Sequence, residues 1–212
     1  MSFAYTLQQY SDQPLTRQIL LSLLKGYSRP NDKIGELMKA GQITSLRKGL
    51  YVMGSKFQGS HPSAFLIANH LRGPSYVSLD SALAYWGFIP EKVYEISSLT
   101  TTRSKQYKTS AGRFHYYYSP IPYYSFGIKS VQLTEKQVVL MASPEKAICD
   151  KIIMTPGVLL RSQKQTREFL LEDLRMGAEI LGQLDFDAIW SWICQSSKKE
   201  SLSMLVRTLK NL

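Results

Sequence analysis

Apolar residues early in the chain recur at helical spacing. Leu15, Ile19 and Leu23, with Leu20 and Leu24, lie on one stripe, which predicts an amphipathic helix over residues 14–25. Asp12 followed by Pro14 pairs a capping residue with a first-turn proline, and Gly26 supplies a left-handed stop. Residues 3–10 read as a shorter helix capped by Ser2. After the turn Tyr27-Ser28-Arg29, Pro30 opens a further helix with Ile34, Leu37 and Met38 as its apolar face and Gly41 as its end. Beyond Gly41 the period changes. Ile43 and Leu46 lead into Arg47-Lys48-Gly49 and then Leu50-Tyr51-Val52, the pattern of a hairpin with two cations beside its turn glycine.

Residues 53–60 hold two glycines and two serines and no apolar period, so they read as a joint. Ser60 and Pro62 then start a helix that buries Phe65, Leu66, Ile67 and Leu71. Tyr76-Val77 is extended, and Ser78 caps a helix with Leu79, Ala82, Leu83 and Trp86 on one face. Strands are expected at 94–101 and 114–118, and 131–133 pairs with 138–140 as a hairpin. Ser143-Pro144-Glu145 combines cap, first-turn proline and a dipole-favoured acid, with Ala147, Ile148, Cys149 and Ile152 turned inward. From Arg161 the chain is helical in character. The expected class is α+β. A winged helix-turn-helix over 1–55 precedes a larger α+β domain over 61–212, which has a small, mostly antiparallel sheet and a helical C-terminal segment.

Charge sharpens this picture. Among the 212 residues, 26 Lys and Arg face 16 Asp and Glu, a net charge of +10. Residues 1–60 hold eight basic and three acidic groups, 61–160 ten and six, and 161–212 eight and seven. The first segment is the most basic for its length. Such an excess favours a polyanionic partner, because each neutralised phosphate releases condensed counterions. Helix, short turn, helix and a basic-tipped hairpin is the order of a winged helix-turn-helix. In that arrangement Arg29 ends the turn before the helix that enters the major groove, and Asn31, Lys33 and Lys39 lie on it, with Asn31 and Lys33 nearest the base edges. Thr44, Arg47 and Lys48 on the hairpin hold phosphate or reach the minor groove. The same module also serves protein recognition in other chains, so both partner classes stand at this point.

A second candidate surface follows from residues 103–118. Arg103, Lys105, Lys108 and Arg113 are basic, and Tyr116-Tyr117-Tyr118 alternates so that Tyr116 and Tyr118 share one face. This is either a sheet packed on both sides or a tyrosine-rich surface for a partner or nucleic acid.

The chain offers little catalytic chemistry. His61, His70 and His115 match no metal spacing, and no nucleophile elbow, P-loop or dinucleotide fingerprint occurs. Asp80, Glu95 and Asp150 could converge, but each has a simpler role at a helix start or on the surface. The chain is therefore not expected to be an enzyme or to need a cofactor or metal. Cys149 and Cys194 cannot build a disulfide framework or a cysteine-based zinc site. No apolar run reaches the ~18 residues of a membrane span, and the first residues do not resemble a secretory signal. A cytoplasmic protein is the expectation.

Several segments, in order, carry a family resemblance. They are Gly41-Gln42-Ile43-Thr44-Ser45-Leu46-Arg47-Lys48-Gly49-Leu50-Tyr51-Val52, Gly73-Pro74-Ser75-Tyr76-Val77-Ser78-Leu79-Asp80-Ser81-Ala82-Leu83, Trp86-Gly87-Phe88-Ile89-Pro90, Thr100-Thr101-Thr102-Arg103, Gly112-Arg113-Phe114 and Ser143-Pro144-Glu145-Lys146-Ala147. Together they span roughly residues 14–155 and resemble the AbiEi-type antitoxins, transcriptional regulators of type IV toxin–antitoxin systems; the tail from Arg161 carries no matching motif. The resemblance implies a bacterial, non-catalytic regulator. Its winged helix would bind inverted repeats in its own promoter, and its C-terminal domain would neutralise a nucleotidyltransferase-like toxin. A solitary regulator without a toxin, or a protein-interaction module, is the alternative.

Overall fold

The computed structural model describes residues 3–54, 56 and 59–212. The Ser2 cap, and Ser55, Phe57 and Gln58 of the joint, lie outside them. The chain begins α1 (Phe3–Gln8), β1 (Leu15–Thr16), α2 (Arg17–Leu23), α3 (Pro30–Lys39), β2 (Ile43–Arg47) and β3 (Leu50–Met53). It continues α4 (Ala64–Leu71), β4 (Ser75–Val77), α5 (Leu79–Tyr85), β5 (Glu95–Thr100), β6 (Lys105–Thr109), β7 (Gly112–Tyr118), β8 (Ile128–Thr134) and β9 (Gln137–Ala142). It ends α6 (Pro144–Met154), α7 (Gln163–Arg167), α8 (Ala178–Leu181), α9 (Phe186–Trp192) and α10 (Lys199–Leu209). The architecture is α+β, with ten α-helices and two sheets among the described residues.

The first sheet is antiparallel with order β1-β3-β2. Here one sequence expectation fails. Leu15 pairs with Tyr51 and Thr16 with Leu50, so the expected first helical turn is a strand. The α2 cap is Thr16, whose hydroxyl accepts from the Ile19 N–H at 3.3 Å. Asp12 is instead buried and lies 3.9 Å from Lys136 Nζ. The helix ends on Leu24, short of Gly26. By contrast, α3 follows its signals: Pro30 is at the first position, Ala40 caps the end, and Gly41 turns the chain with φ 69°. Met38 is 40% exposed and falls off the buried stripe of Ile34 and Leu37.

The hairpin is walled on both sides. Ile43, Tyr51 and Met53 point into a small core with Leu20, Leu24, Ile34 and Leu37. The alternate residues Leu46, Leu50 and Val52 join the main core of the larger body. The two-residue period of a strand sends successive side chains to opposite faces, and here both faces find apolar cover. All four residues of β3 are buried.

The second sheet has order β6-β7-β5-β4-β9-β8. Three of its pairings are antiparallel, while β4–β9 and β5–β7 are parallel. At six strands it is larger than the small sheet expected. Register places Tyr76 and Tyr116 on opposite faces. The Tyr116 hydroxyl reaches the Ala68 carbonyl of α4 at 2.6 Å, and the Tyr76 hydroxyl reaches Asp150 of α6 at 3.1 Å, so helices cover both sides. The tail from Arg161 is part of this body. Leu202, Leu205, Val206 and Leu209 of α10 are buried in the main core. Lys198 donates to the Ile152, Thr155 and Val158 carbonyls at 2.8, 2.9 and 2.8 Å. A cation placed there satisfies the orphan carbonyls and the negative dipole end of α6.

Candidate nucleic-acid interface

One residue that the sequence patterns did not single out joins three elements. Arg17, the first residue of α2, donates its backbone N–H to the Gly49 carbonyl in the hairpin turn at 2.9 Å. Its guanidinium Nη2 donates to Asn31 Oδ1, at the start of α3, at 2.8 Å. The starts of α2 and α3 and the hairpin turn therefore meet on one exposed surface. The signal for Arg17 was present but masked, because the expected helix start at Pro14 placed Arg17 inside the helix rather than at its exposed end.

The local sequence explains the positions. Gly49 takes φ 83°, a left-handed turn that a side chain disfavours. A bulge between Ser45 and Arg47 is closed by Ser45 Oγ donating to the Arg47 carbonyl at 3.1 Å. Arg47 and Lys48 are left exposed at the tip. Asn31 is exposed, and with its side-chain oxygen taken by Arg17 what it can offer a ligand is its amide N–H donors. That arrangement can donate to acceptors on a base edge or to phosphate.

The other expected residues of this region divide. Arg29 is exposed at the α3 cap position and makes no side-chain cap bond. Lys33 is partly engaged: its ammonium meets Glu36 at 2.7 Å and lies over the Tyr27 ring at 5.6 Å. The Glu36 hydrogen bond raises its pKa and keeps it charged. Lys39 is exposed at the far end of α3, about two turns from Asn31. Thr44 does not join this surface. It faces a cleft of about 350 Å³ between the hairpin and the larger body, opposite Ser110 and Ala111.

The second candidate surface is also divided by the fold. Arg103, Lys105, Lys108 and Arg113 are exposed. Tyr118 is 51% exposed, but Tyr116 is fully buried and is not available to any partner. Burial pushes the Tyr116 phenol well up, and the nearby Tyr107 adds to this. Strand register puts Lys105 beside Tyr116 at the ribbon edge, whereas Lys108 and Arg113 pair on the opposite face.

Asp80 and Glu95 line one cleft, whereas Asp150 is not part of its lining. Asp80 bonds to Lys151 at 2.7 Å, and Glu95 lies 3.3 Å from His115. Asp150 is neither a helix-start nor a surface residue. It is fully buried and accepts from Tyr123 and Tyr76 hydroxyls at 2.9 and 3.1 Å and from Ser78 Oγ at 2.6 Å. The buried Lys146 ammonium lies 3.2 Å from Asp150 and donates to the Tyr123 carbonyl at 2.9 Å. Every lone-pair direction of this carboxylate is answered, as a buried charge requires. Ser78 gives its hydroxyl to Asp150 instead of capping α5, and Leu79 follows with φ 55°. No group of three or more His, Cys, Asp or Glu among the described residues could hold a metal ion. Cys149 is buried, which pushes its thiol up to about 12. Among the described residues no helix is long and apolar enough to cross a membrane.

No family model and no curated protein matches the chain. Among solved structures, the crystal structure of the RV2827C protein from Mycobacterium tuberculosis is similar over 97% of this chain and 75% of that chain, with a TM-score of 0.63 at 13% identity. At that identity the likeness shows a shared fold and nothing beyond it.

Proposed function

We propose that the chain is a DNA-binding transcriptional autorepressor that acts as the antitoxin of a type IV toxin–antitoxin system. In this reading residues 1–55 form a winged helix-turn-helix with α3 as the groove-entering helix and β2–β3 as the wing. Residues 61–212 form the domain that neutralises a nucleotidyltransferase-like toxin. The observation that carries the DNA half is the meeting of the α2 start, the α3 start and the basic hairpin turn through Arg17. A groove-binding module needs its helix N-terminus and wing on one face, with cations aimed at phosphate. The toxin half rests on the family resemblance of the motifs between residues 41 and 147.

The test is a reporter driven by the DNA upstream of the chain's own gene. Supplying the chain should repress it, and Arg47→Ala with Lys48→Ala should relieve that repression at equal protein level. Co-expression with the neighbouring gene should restore growth if that gene encodes the toxin. A reporter indifferent to the chain would remove the regulator reading. Undiminished toxicity would leave a regulator without antitoxin activity.

A further inference from the structure

The contact between Arg17 and Asn31 decides which way round the Asn31 amide is held. A guanidinium carries only donors, so the atom that Nη2 meets at 2.8 Å is the side-chain oxygen, and the two N–H donors lie on the other branch of the amide. Arg17 is itself fixed through its backbone. Thr16 before it pairs with Leu50 and caps α2, and the Arg17 N–H donates to the Gly49 carbonyl at 2.9 Å. Asn31 follows Pro30 at the second position of α3, where the proline ring sets the backbone for helix entry. Both side chains are exposed, and among the described residues Arg17 makes no ion pair.

What the pair offers a ligand is therefore a donor group, the Asn31 amide N–H pair, backed by a positive charge. Base edges in the major groove differ in how they meet such a group. Guanine shows two acceptors side by side, O6 and N7. Adenine sets an N6 donor beside N7, thymine sets a methyl group beside its one acceptor, and cytosine shows a donor. The usual asparagine contact is bidentate to adenine. It needs Oδ1 to accept from N6 while Nδ2 donates to N7. Here Arg17 already donates to Oδ1, and its positive charge opposes a second donor at the same oxygen.

We propose that Arg17 is a positioning residue that sets base specificity: by holding Asn31 Oδ1 it makes the start of α3 a donor-only reader, which selects guanine over adenine at one base pair of the bound duplex. The proposal rests on the DNA-binding reading above and adds a base-edge chemistry to it. Exposed cations such as Arg47 and Lys48 neutralise phosphate whatever the sequence. An amide held in one orientation distinguishes bases. The same residue also ties this end of α3 to the hairpin turn, through the Gly49 carbonyl.

The experiment selects duplexes from a library made by randomising the DNA upstream of the chain's own gene, using the full chain, Arg17→Met, Asn31→Ala and the double variant. Arg17→Met keeps the aliphatic stem and the backbone bond to Gly49, and the denaturation midpoint checks that each variant is folded. The unaltered chain should enrich guanine at one position whose preference Asn31→Ala abolishes. Arg17→Met frees Oδ1 and should lower the preference for guanine over adenine there by about tenfold, with the other positions unchanged. The double variant should match Asn31→Ala at that position. Unchanged preferences in folded Arg17→Met would overturn the proposal and leave the DNA-binding reading standing; so would an equal loss of affinity for every duplex, which marks a phosphate contact. Adenine at the Asn31-dependent position of the unaltered chain, or no position that depends on Asn31, would also overturn it. No enrichment by the unaltered chain would overturn both.

Discussion

Two clusters of charge in this molecule have opposite characters. Lys146 and Asp150 are fully buried; Asp150 is answered by Tyr76 and Ser78, by Tyr123 and by Lys146, and the Lys146 ammonium by Asp150 and the Tyr123 carbonyl. Arg47, Lys48, Arg103 and Lys105 are exposed and have no carboxylate partner among the described residues. The first cluster spends its bonding capacity inside the fold. Among the described residues the second makes no ion pair; its side-chain contacts are the Arg47 bond to the Lys48 carbonyl at 3.4 Å and the Lys105 ammonium over the Tyr107 ring. The buried pair holds the architecture together, and the exposed cations, Arg47 and Lys48 above all, are the groups on which the proposed DNA-binding reading rests.

The largest expected effect breaks the buried cluster. Asp150→Ala strands the Lys146 ammonium and three donors, and should cost about 3–5 kcal/mol in denaturant unfolding. Replacing Lys146 and Asp150 together with Met and Leu should recover much of that loss. A single variant as stable as the parent would end the comparison. Gly127→Ala should follow in size, at about 1–3 kcal/mol. Gly127 has φ 62°, and an added Cβ would lie 2.7 Å from Lys146 Cβ. Lys198→Met removes three carbonyl bonds at the end of α6 and should cost about 1–2 kcal/mol by the same unfolding measurement.

The pH response carries a definite sign. Burial, reinforced by Asp150, raises the Tyr76 and Tyr123 phenols well above 10, and burial raises Tyr116. Above that pH the unfolded chain releases phenolic protons that the native chain keeps, so stability falls as pH rises. Lys146 acts in the opposite sense. Its pKa is lowered by burial, and the native state regains stability as pH approaches the unfolded lysine value. The raised phenols and the buried Cys149 thiol outnumber the two ammoniums that burial lowers, Lys146 and Lys198, so the denaturation midpoint should drop above about pH 9, and Tyr76→Phe should lessen the drop. A midpoint that rises over this range would contradict the burial of these phenols. The smallest stability effect belongs to the exposed cluster: Arg47→Ala with Lys48→Ala should leave unfolding within about 0.5 kcal/mol of the parent.

Local signals carried much of the architecture. Pro30 and Gly41 bound α3, Gly49 turns the hairpin, and Ser143-Pro144 opens α6, because each acts through its own backbone conformation. Non-local pairings were not legible. The β1 strand exists because Leu15 and Thr16 find Tyr51 and Leu50, about 35 residues away, and that pairing overrides a good helical stripe. The parallel β4–β9 and β5–β7 pairings have no turn to announce them. Asp150 reads as an ordinary helix acid until Tyr76, Ser78 and Tyr123 are brought to it. In the candidate site, Arg47, Lys48 and Asn31 were readable from charge and order. Arg17 was hidden by the displaced helix start, and the burial of Tyr116 followed only from the α4 cover.

The most direct test is a binding titration of the full chain against the duplex upstream of its own gene and a scrambled duplex of equal length, at two salt concentrations. Tighter binding to the native duplex is expected, with a strong weakening of both at higher salt. Equal affinity for the two duplexes would contradict it, and would reduce the exposed cations to a nonspecific polyanion surface.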